Sequence, residues 1–346
     1  MDDRPRISVI VPTRGDRSVL LRRQLKLLRA QLRDGDEILV SLDGTPQPRW
    51  LENAGAGVIV GPAGGPGVAR NRALERSRGD LFVFLNDDAI PDSGLLERHR
   101  RAHEERSASG LSRAIVVGDA PWAVREDDRP LDRMLRHTSL VFFYDQMRRG
   151  GRERDWGYRH AWTLNLSVPR ELCQRFDERL RFPMLDDLEW AYRVTRASGV
   201  PVIFRPEARV LHEHRYSALD VLIREVLLGH QAATLRAVNP ECARIMFADR
   251  LTGRVPVSGA ELLGAGAAFR VFESWCGGDG ADPQSAFEAC RGWRETARRF
   301  GASRCDEDFG SVRRAALELI GGSAGASAGP SLVVSRTAGA RSPTTA

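Results

Sequence analysis

The sequence predicts an α/β fold: a Rossmann-like, mixed but mainly parallel sheet with helices on both faces, followed by a C-terminal helical region. Short apolar runs alternate with amphipathic helical patterns over the first two hundred residues. This alternation is typical of parallel strands joined by right-handed helical crossovers. Beyond His214 the patterns are helical only. We therefore predict an α/β domain over residues 1–215, a helical region over 216–320 and a disordered tail over 321–346, where Gly, Ser, Ala and Thr dominate.

The elements of the first half are predicted from local patterns. Four short, apolar or β-branched runs are expected to form strands: Ile7–Val11, Glu37–Leu42, Gly57–Val60 and Leu81–Leu85. Leucines at helical spacing from Leu21 onward predict a helix, and a Gly/Pro-rich loop at 61–67 opens another. A further helix begins at Asp186, and a strand returns at 200–204. The polar stretch 119–160 is expected to be an irregular loop over a site rather than part of the core.

The chain is basic, but its charge pattern does not favour nucleic acid. Its formal net charge is +6, and Lys26 is the only lysine among 52 basic residues. The arginines are interleaved with 46 acidic residues along the whole chain. This pattern indicates a solvated charged surface and argues against a nucleic-acid partner.

Targeting and membrane signals are not evident in the sequence. No apolar run reaches the roughly 20 residues that a membrane-spanning helix needs. The acidic start leads directly into a predicted strand, so we expect no secretory signal peptide. Five widely spaced cysteines form neither a disulfide pattern nor a metal-binding pattern. These features predict a cytoplasmic protein. The helix predicted at Ala218–Val238 is expected to pack on the α/β domain, and a homodimer or a peripheral contact with a membrane surface through this helix stays open.

Polar side chains follow three of the predicted strands. Thr13 follows the first strand and Asp43 the second, while Asn86, Asp87 and Asp88 follow the fourth. Ligands of open α/β sheets bind beyond the carboxyl ends of the strands. Turn or cap roles would explain each residue taken singly. Three polar ends at one edge indicate a binding site instead.

The same residues suit a divalent cation and a phosphorylated ligand. Carboxylate and amide oxygens at a rigid strand end are ligands for Mg²⁺ or Mn²⁺, which would bridge diphosphate oxygens. Arg70 lies near the start of the helix after the Gly/Pro-rich loop, where its planar guanidinium suits a phosphate, and Arg72 is a weaker candidate. The loop matches neither the P-loop nor the dinucleotide-binding glycine pattern, which argues against those two classes.

Four blocks of sequence, taken in order, resemble the family 2 glycosyltransferases, which have the GT-A fold. The blocks are Ile7–Asp16, Glu37–Gly44, Gly67–Pro91 and Asn165–His212. The resemblance implies an inverting glycosyltransferase. Such an enzyme moves a sugar from a nucleotide-diphosphate donor, a UDP-sugar for most relatives, to an acceptor nucleophile.

The resemblance implies a nucleotide-sugar site at the strand ends. Pro12, Thr13 and Asp43 would line the nucleotide pocket, with the Asp43 carboxylate accepting from the base. Arg70 would close over the nucleotide. Asn86, Asp87 and Asp186 would lie in the same donor site.

The resemblance also implies a metal site. Asn86, Asp87 and Asp88 fall on the family's Asp-X-Asp segment, with Asp88 as the metal ligand, and His212 would complete the metal and diphosphate site. His214 is the alternative to His212. Asn86 departs from the family pattern, because it stands where the first aspartate is expected and removes a negative charge. This departure puts strict dependence on Mn²⁺ or Mg²⁺ in doubt.

Asp187, the second acid of an Asp-Asp pair, falls on the family's catalytic base. One base and a direct displacement imply inversion at the anomeric carbon. The structural alternative is that Asp186 and Asp187 merely cap a helix.

Two other functional classes compete with this interpretation. A sugar nucleotidyltransferase would carry a Gly-rich signature with a basic residue directly after the first strand, and Thr13–Asp16 is too short for it. A non-catalytic, degenerate scaffold is suggested by Asn86, but Asp88, Asp187 and His212 together argue against it. Acceptor contacts in this family come from its variable regions. The sequence therefore leaves the acceptor open between a natural product, a peptide and a cell-envelope glycan.

Overall fold

A computed structural model of the protein describes residues 4–142, 144–247, 257–278 and 282–319. Its strands are β1 (Ile7–Thr13), β2 (Glu37–Asp43), β3 (Gly57–Gly61), β4 (Leu81–Leu85), β5 (Ala89–Pro91), β6 (Ile115–Asp119), β7 (Asn165–Pro169) and β8 (Val202–His212). They form one sheet in the order β3-β2-β1-β4-β7-β6-β8-β5. The predicted mixed, mainly parallel sheet is confirmed.

The parallel half of the sheet brings the predicted polar strand ends together. β1 lies between β2 and β4 and runs parallel to both. Every residue of β1 and β4 is buried, as expected for strands covered on both faces. Pro12 pairs with Ser41 and Thr13 with Leu42, so the ends of β1 and β2 are level.

Antiparallel strands bring later parts of the chain to the same edge. β7 runs antiparallel to β4, and Leu85 pairs with Asn165, so the residues just before β7 lie beside the end of β4. β5 runs antiparallel to β8, and Ala89 pairs with His212. The last residue of β8 is therefore brought next to the turn between β4 and β5.

The helices beside the sheet are α1 (Ser18–Arg29), α2 (Pro66–Arg76), α3 (Leu95–Ala108), α4 (Pro130–His137), α5 (Tyr144–Arg148) and α6 (Asp186–Ser198). The predicted helices α1, α2 and α6 are present. Leu21, Leu25 and Leu28 of α1 are buried. α2 packs on β1 and β2, and α3 packs on β6 and β8.

The expectation that residues 119–160 form an irregular loop outside the core is wrong. The segment contains α4 and α5. Leu131 and Met134 of α4 lie in the apolar core of the helical region, whereas Tyr144 and Met147 of α5 lie in that of the sheet. Helices of eight and five residues are too short to show a clear periodic pattern among so many charged residues.

The C-terminal region contains α7 (Ala218–Val238), α8 (Pro240–Phe247), α9 (Gly259–Gly277), α10 (Pro283–Ala289), α11 (Arg291–Ala302) and α12 (Phe309–Leu319). α7 has the bounds that the sequence predicts. α7 and α11 meet at two glycines: a Cβ on Gly229 would collide with the Arg298 carbonyl oxygen, and one on Gly301 with that of Val226. No helix within the described ranges is long and apolar enough to cross a membrane. The predicted tail at 321–346 lies outside the described residues.

α7 also contacts the segment that leads into α6. Gln231 Nε2 donates to the Met184 carbonyl oxygen at 3.2 Å. Leu185 packs in an apolar cluster with Ala232 and Leu235 of α7. Leu185 has φ 68° and is the only non-glycine residue with positive φ in the described part of the chain. That conformation costs a leucine about 1–2 kcal/mol, so the surrounding packing must hold it.

Candidate active site

Two acids after β4, Asp87 and Asp88 (here the β4 pair), lie at the centre of the polar sheet edge, and both are buried. Thr13 Oγ1 donates to Asp87 Oδ2 at 2.7 Å. Gln24 of α1 donates through Nε2 to the backbone carbonyls on either side of the pair, each at 2.6 Å. Thr13 of β1 thus fixes the Asp87 carboxylate, and Gln24 of α1 fixes the backbone of the turn that carries the pair.

Arg17, just before α1, bridges the β4 pair. Its Nη1 donates to Asp87 Oδ1 at 2.9 Å and to Asp88 Oδ2 at 2.7 Å. Its Nη2 donates to His214 Nδ1 at 2.8 Å. Because a guanidinium has no acceptor, this Nδ1 carries no proton.

The pKa values of the two acids around this guanidinium shift in opposite directions. Burial alone would raise the pKa of Asp88, but Arg17 and the His212 imidazole outweigh it and hold the pKa well below its usual value. Burial raises the pKa of Asp87; Arg17 offsets part of the rise, and the charge of Asp88 adds to it. Asp88 is therefore the member of the pair that keeps its charge.

Asp88 and His212 carry donors that fit a divalent cation. His212 Nε2 lies 3.6 Å from Asp88 Oδ2, and Asp88 Oδ1 is buried with no hydrogen-bond partner among the described residues. The Trp122 ring stacks on His212 with centroids 4.1 Å apart. Carboxylate oxygens and imidazole nitrogens are both metal donors. Across the described ranges no three His, Cys, Asp or Glu side chains are arranged to hold a metal ion.

Arg70 connects the β4 turn to a second acid pair, Asp186 and Asp187 (here the α6 pair). Its Nη1 donates to Asp186 Oδ2 at 2.8 Å, and its Nη2 donates to Asn86 Oδ1 at 3.4 Å. Arg70 is buried, and its guanidinium lies over the Phe176 ring at 5.3 Å. Asn86 therefore supplies an acceptor to Arg70 without adding a negative charge to the edge.

The α6 pair begins the helix with two differently held carboxylates. Asp187 Oδ1 accepts from the Leu188 N–H at 2.9 Å, and Oδ2 accepts from the Thr163 N–H at 3.3 Å. Burial raises the pKa of Asp187, although Arg70 and these N–H groups oppose the rise. Burial raises the pKa of Asp186 to about 7; Arg70 opposes this shift and Asp187 adds to it.

Asp43, the predicted partner of the nucleotide base, holds the Gly/Pro-rich loop. Oδ1 accepts from the Gly64 N–H at 2.8 Å and from Arg72 Nη2 at 2.9 Å, while Oδ2 accepts from the Gly65 N–H at 3.0 Å. A carboxylate has about four lone-pair sites, so three donors leave one for a ligand. Arg72 also donates to three backbone carbonyls, so its guanidinium holds the loop and is not free for a phosphate.

The structure places the predicted site residues along one edge of the sheet, in three adjoining groups. Pro12 and Asp43 lie at the ends of β1 and β2. The second group surrounds the β4 pair and the third surrounds the α6 pair, and they meet where Arg70 bonds Asn86. Together these two groups contain Thr13, Arg70, Asn86, Asp87, Asp88, Asp186, Asp187 and His212.

The chain is similar in sequence to known proteins. Residues 8–172 match the sequence profile of glycosyl transferase family 2. The resemblance predicted from the sequence is confirmed. Its curated relatives include pre-mycofactocin glycosyltransferases from two strains of Mycobacterium tuberculosis, each 27% identical over 256 residues. The alignment covers 68% of this chain and 48% of each relative, so the chain spans about half the length of the curated relatives it matches.

A solved structure shares the fold of this chain. A mannosyltransferase from Pyrobaculum calidifontis, solved in complex with GDP-mannose and Mn²⁺, superposes with a TM-score of 0.50 and 19% sequence identity. The superposition covers 89% of both chains. The GT-A fold predicted from the sequence is confirmed.

Sequence reasoning missed three residues of the candidate site. Arg17, Trp122 and Thr163 contact the predicted residues, but nothing in their local sequence signals it. His214 was the alternative to His212, and both lie beside Asp88, at 3.3 and 3.6 Å. Only the pairing of β5 with β8 and of β4 with β7 reveals these contacts.

Proposed function

We propose that this chain transfers a sugar from a nucleotide-diphosphate donor to an acceptor nucleophile with inversion at the anomeric carbon. The observation that carries the proposal is the contrast between the two acid pairs. Asp88 keeps its charge beside Arg17, whereas burial raises the pKa of Asp187. One edge thus combines an ionised carboxylate for a cation with a carboxylate suited to accept a proton.

The donor would lie along the sheet edge, with its nucleotide at the ends of β1 and β2. Pro12 and Thr13 would line this end, and Asp43 retains one lone-pair site for an N–H of the base. The resemblance implies UDP, whereas the Pyrobaculum calidifontis mannosyltransferase was solved with GDP-mannose. UDP-sugars and GDP-sugars are therefore the first donors to compare.

Asp88 and His212 would hold a divalent cation, Mn²⁺ or Mg²⁺. When bound, the cation would act as a Lewis acid and stabilise the charge on the departing diphosphate. Asp87 is bonded to Thr13, and Asn86 is bonded to Arg70, so these two residues keep the turn in position for the donor.

Asp187 would take the proton of the acceptor nucleophile as that atom attacks the anomeric carbon. The N–H groups of Thr163 and Leu188 orient its carboxylate. The new bond forms while the sugar–phosphate bond breaks, and the bonding electron pair leaves with the diphosphate. Attack opposite the leaving group converts an α-linked donor into a β-linked product.

Transfer by the purified chain tests the proposal. We would incubate it with UDP-sugars and GDP-sugars, with Mn²⁺, with Mg²⁺ or with EDTA. The first acceptor to try is pre-mycofactocin, after which the curated relatives are named. We expect a product whose anomeric configuration, read by NMR, is opposite to that of the donor. A retained anomer contradicts the single displacement. Absence of both transfer and donor hydrolysis with every donor supports the scaffold alternative that Asn86 suggests.

A further inference from the structure

Arg17 and His212 face the same oxygen of the β4 pair. Arg17 Nη1 lies 2.7 Å from Asp88 Oδ2, and His212 Nε2 lies 3.6 Å from that atom. A cation held by Asp88 and His212 would therefore have to share the Asp88 carboxylate with the Arg17 guanidinium. Both acids of the pair are already bonded to it.

We propose that Arg17 is an internal counter-ion that competes with the divalent cation for Asp88 and leaves the β4 pair when the cation binds. The inference rests on the proposed function, because that function supplies the cation. Arg17 lowers the cation affinity of the free protein. A ligand that draws the guanidinium away, such as a diphosphate, raises that affinity.

The competition follows from charge. A guanidinium and a divalent cation on one carboxylate repel each other, and the surrounding burial weakens solvent screening. Asn86 makes the competition sharper, because this uncharged amide adds no negative charge beside the pair to hold both cations. Occupancy by Arg17 and occupancy by the metal are therefore negatively coupled.

Arg17 can withdraw without dismantling its surroundings. Its side chain is 34% exposed, whereas those of Asp87 and Asp88 are 9% and 3% exposed. It precedes α1 with non-helical φ and ψ, and its side chain does not cap the helix. Its side-chain hydrogen bonds to described residues are those with the two acids and His214. Rotation toward solvent therefore breaks bonds only at the site.

Binding of Mn²⁺ to the full chain in the absence of donor tests the proposal. Free Mn²⁺ would be followed by its EPR signal and the affinity checked by calorimetry. We expect R17Q to bind Mn²⁺ at least tenfold more tightly than the wild type. R22Q is the matched control. Arg22 lies on α1, which Arg17 precedes, and its guanidinium lies over Trp50 at 4.2 Å, away from the acids. R22Q should bind like the wild type. Adding D88N to R17Q should abolish the gain.

Two results overturn the competition. Equal Mn²⁺ affinity of R17Q and the wild type shows that Arg17 does not compete, and weaker binding by R17Q shows that Arg17 supports the metal site. If a thermal melt shows that R17Q is unfolded, R17K replaces it. R17K keeps the charge but cannot reach all three acceptors, so it should bind Mn²⁺ more tightly than the wild type; equal or weaker binding overturns the proposal. Failure of the proposed function is distinguished by absence of transfer with every donor, whatever the Mn²⁺ affinities.

Discussion

The β4 pair and the α6 pair have the same composition, two adjacent aspartates and one arginine, but differ in how the arginine is placed. Arg17 bonds both acids of the β4 pair, whereas Arg70 bonds only Asp186 of the α6 pair. Asp88 consequently stays charged, and Asp187, held by backbone N–H groups, has a raised pKa. The position of the guanidinium thus separates a pair in which one acid has a lowered pKa from a pair in which the pKa of both acids is raised.

The largest expected effect is the loss of transfer in Asp187→Asn. An amide cannot take the acceptor proton, so the rate should fall by about 10²- to 10⁴-fold. Donor binding, measured by calorimetry, should stay near that of the wild type. Asp145→Asn is the matched control and should transfer normally. Asp145 is a partly exposed residue of α5 that pairs with Arg149. Loss of donor binding in Asp187→Asn would show that the α6 pair caps its helix or holds the donor instead.

Arg70→Met should give the largest loss of stability. It leaves the carboxylate of Asp186 without its ion partner, and the two side chains are only 5% and 4% exposed. We expect the free energy of unfolding to fall by about 3 kcal/mol in denaturant titrations at about pH 8, where Asp186 is ionised. Arg175→Met removes an exposed arginine from Glu75 and Glu178 and should change it by less than about 1 kcal/mol. A similarly small change in Arg70→Met would mean that Asp186 is protonated and needs no counter-ion.

The α6 pair should also make stability depend on pH. The pKa of Asp186 is about 7 in the folded protein, against about 3.9 for an unfolded chain. Between these values the folded state holds a proton that the unfolded state has released. Stability should therefore fall as pH rises from about 4 to 7, by about 1.4 kcal/mol per pH unit at most. Asp186→Asn should remove this slope. Parallel curves for the wild type and Asp186→Asn would contradict the shift.

The smallest expected effect is that of Thr13→Val on the β4 pair. Valine has the same shape as threonine but cannot donate to Asp87, while the bond from Arg17 remains. The free energy of unfolding should fall by about 1 kcal/mol. Thr195→Val is the control, because the Thr195 hydroxyl donates to a carbonyl of its own helix. A loss of stability no larger than that of the control would show that Arg17 alone holds Asp87.

The predictable part of the site is the part built from parallel strand ends. Each of β1, β2 and β4 is a short apolar run that stops at a polar residue, and in a parallel sheet these ends must meet. Thr13, Asp43 and the β4 pair could therefore be placed from local sequence alone. His212 needed the family resemblance in addition, because nothing local distinguishes it from His214.

The unpredicted part depends on contacts between segments far apart in the chain. Arg17 and Asp88 are 71 residues apart, and their bond exists because α1 starts beside the β4 turn. Thr163 reaches Asp187 only because β7 runs antiparallel to β4. Strands of three to five residues, such as β5 and β7, carry too little periodicity to be recognised from sequence.

The contact between α7 and the start of α6 has a consequence for how the chain can be divided. The backbone turn at Leu185 aims the α6 pair, and Gln231, Ala232 and Leu235 of α7 support it from behind. A fragment ending at residue 215 would contain every proposed ligand and the proposed base. It would lack the α7 residues whose contacts hold Leu185 at its positive φ. We therefore expect a fragment of the α/β domain to hold the α6 pair in place only if it also includes part of the helical region.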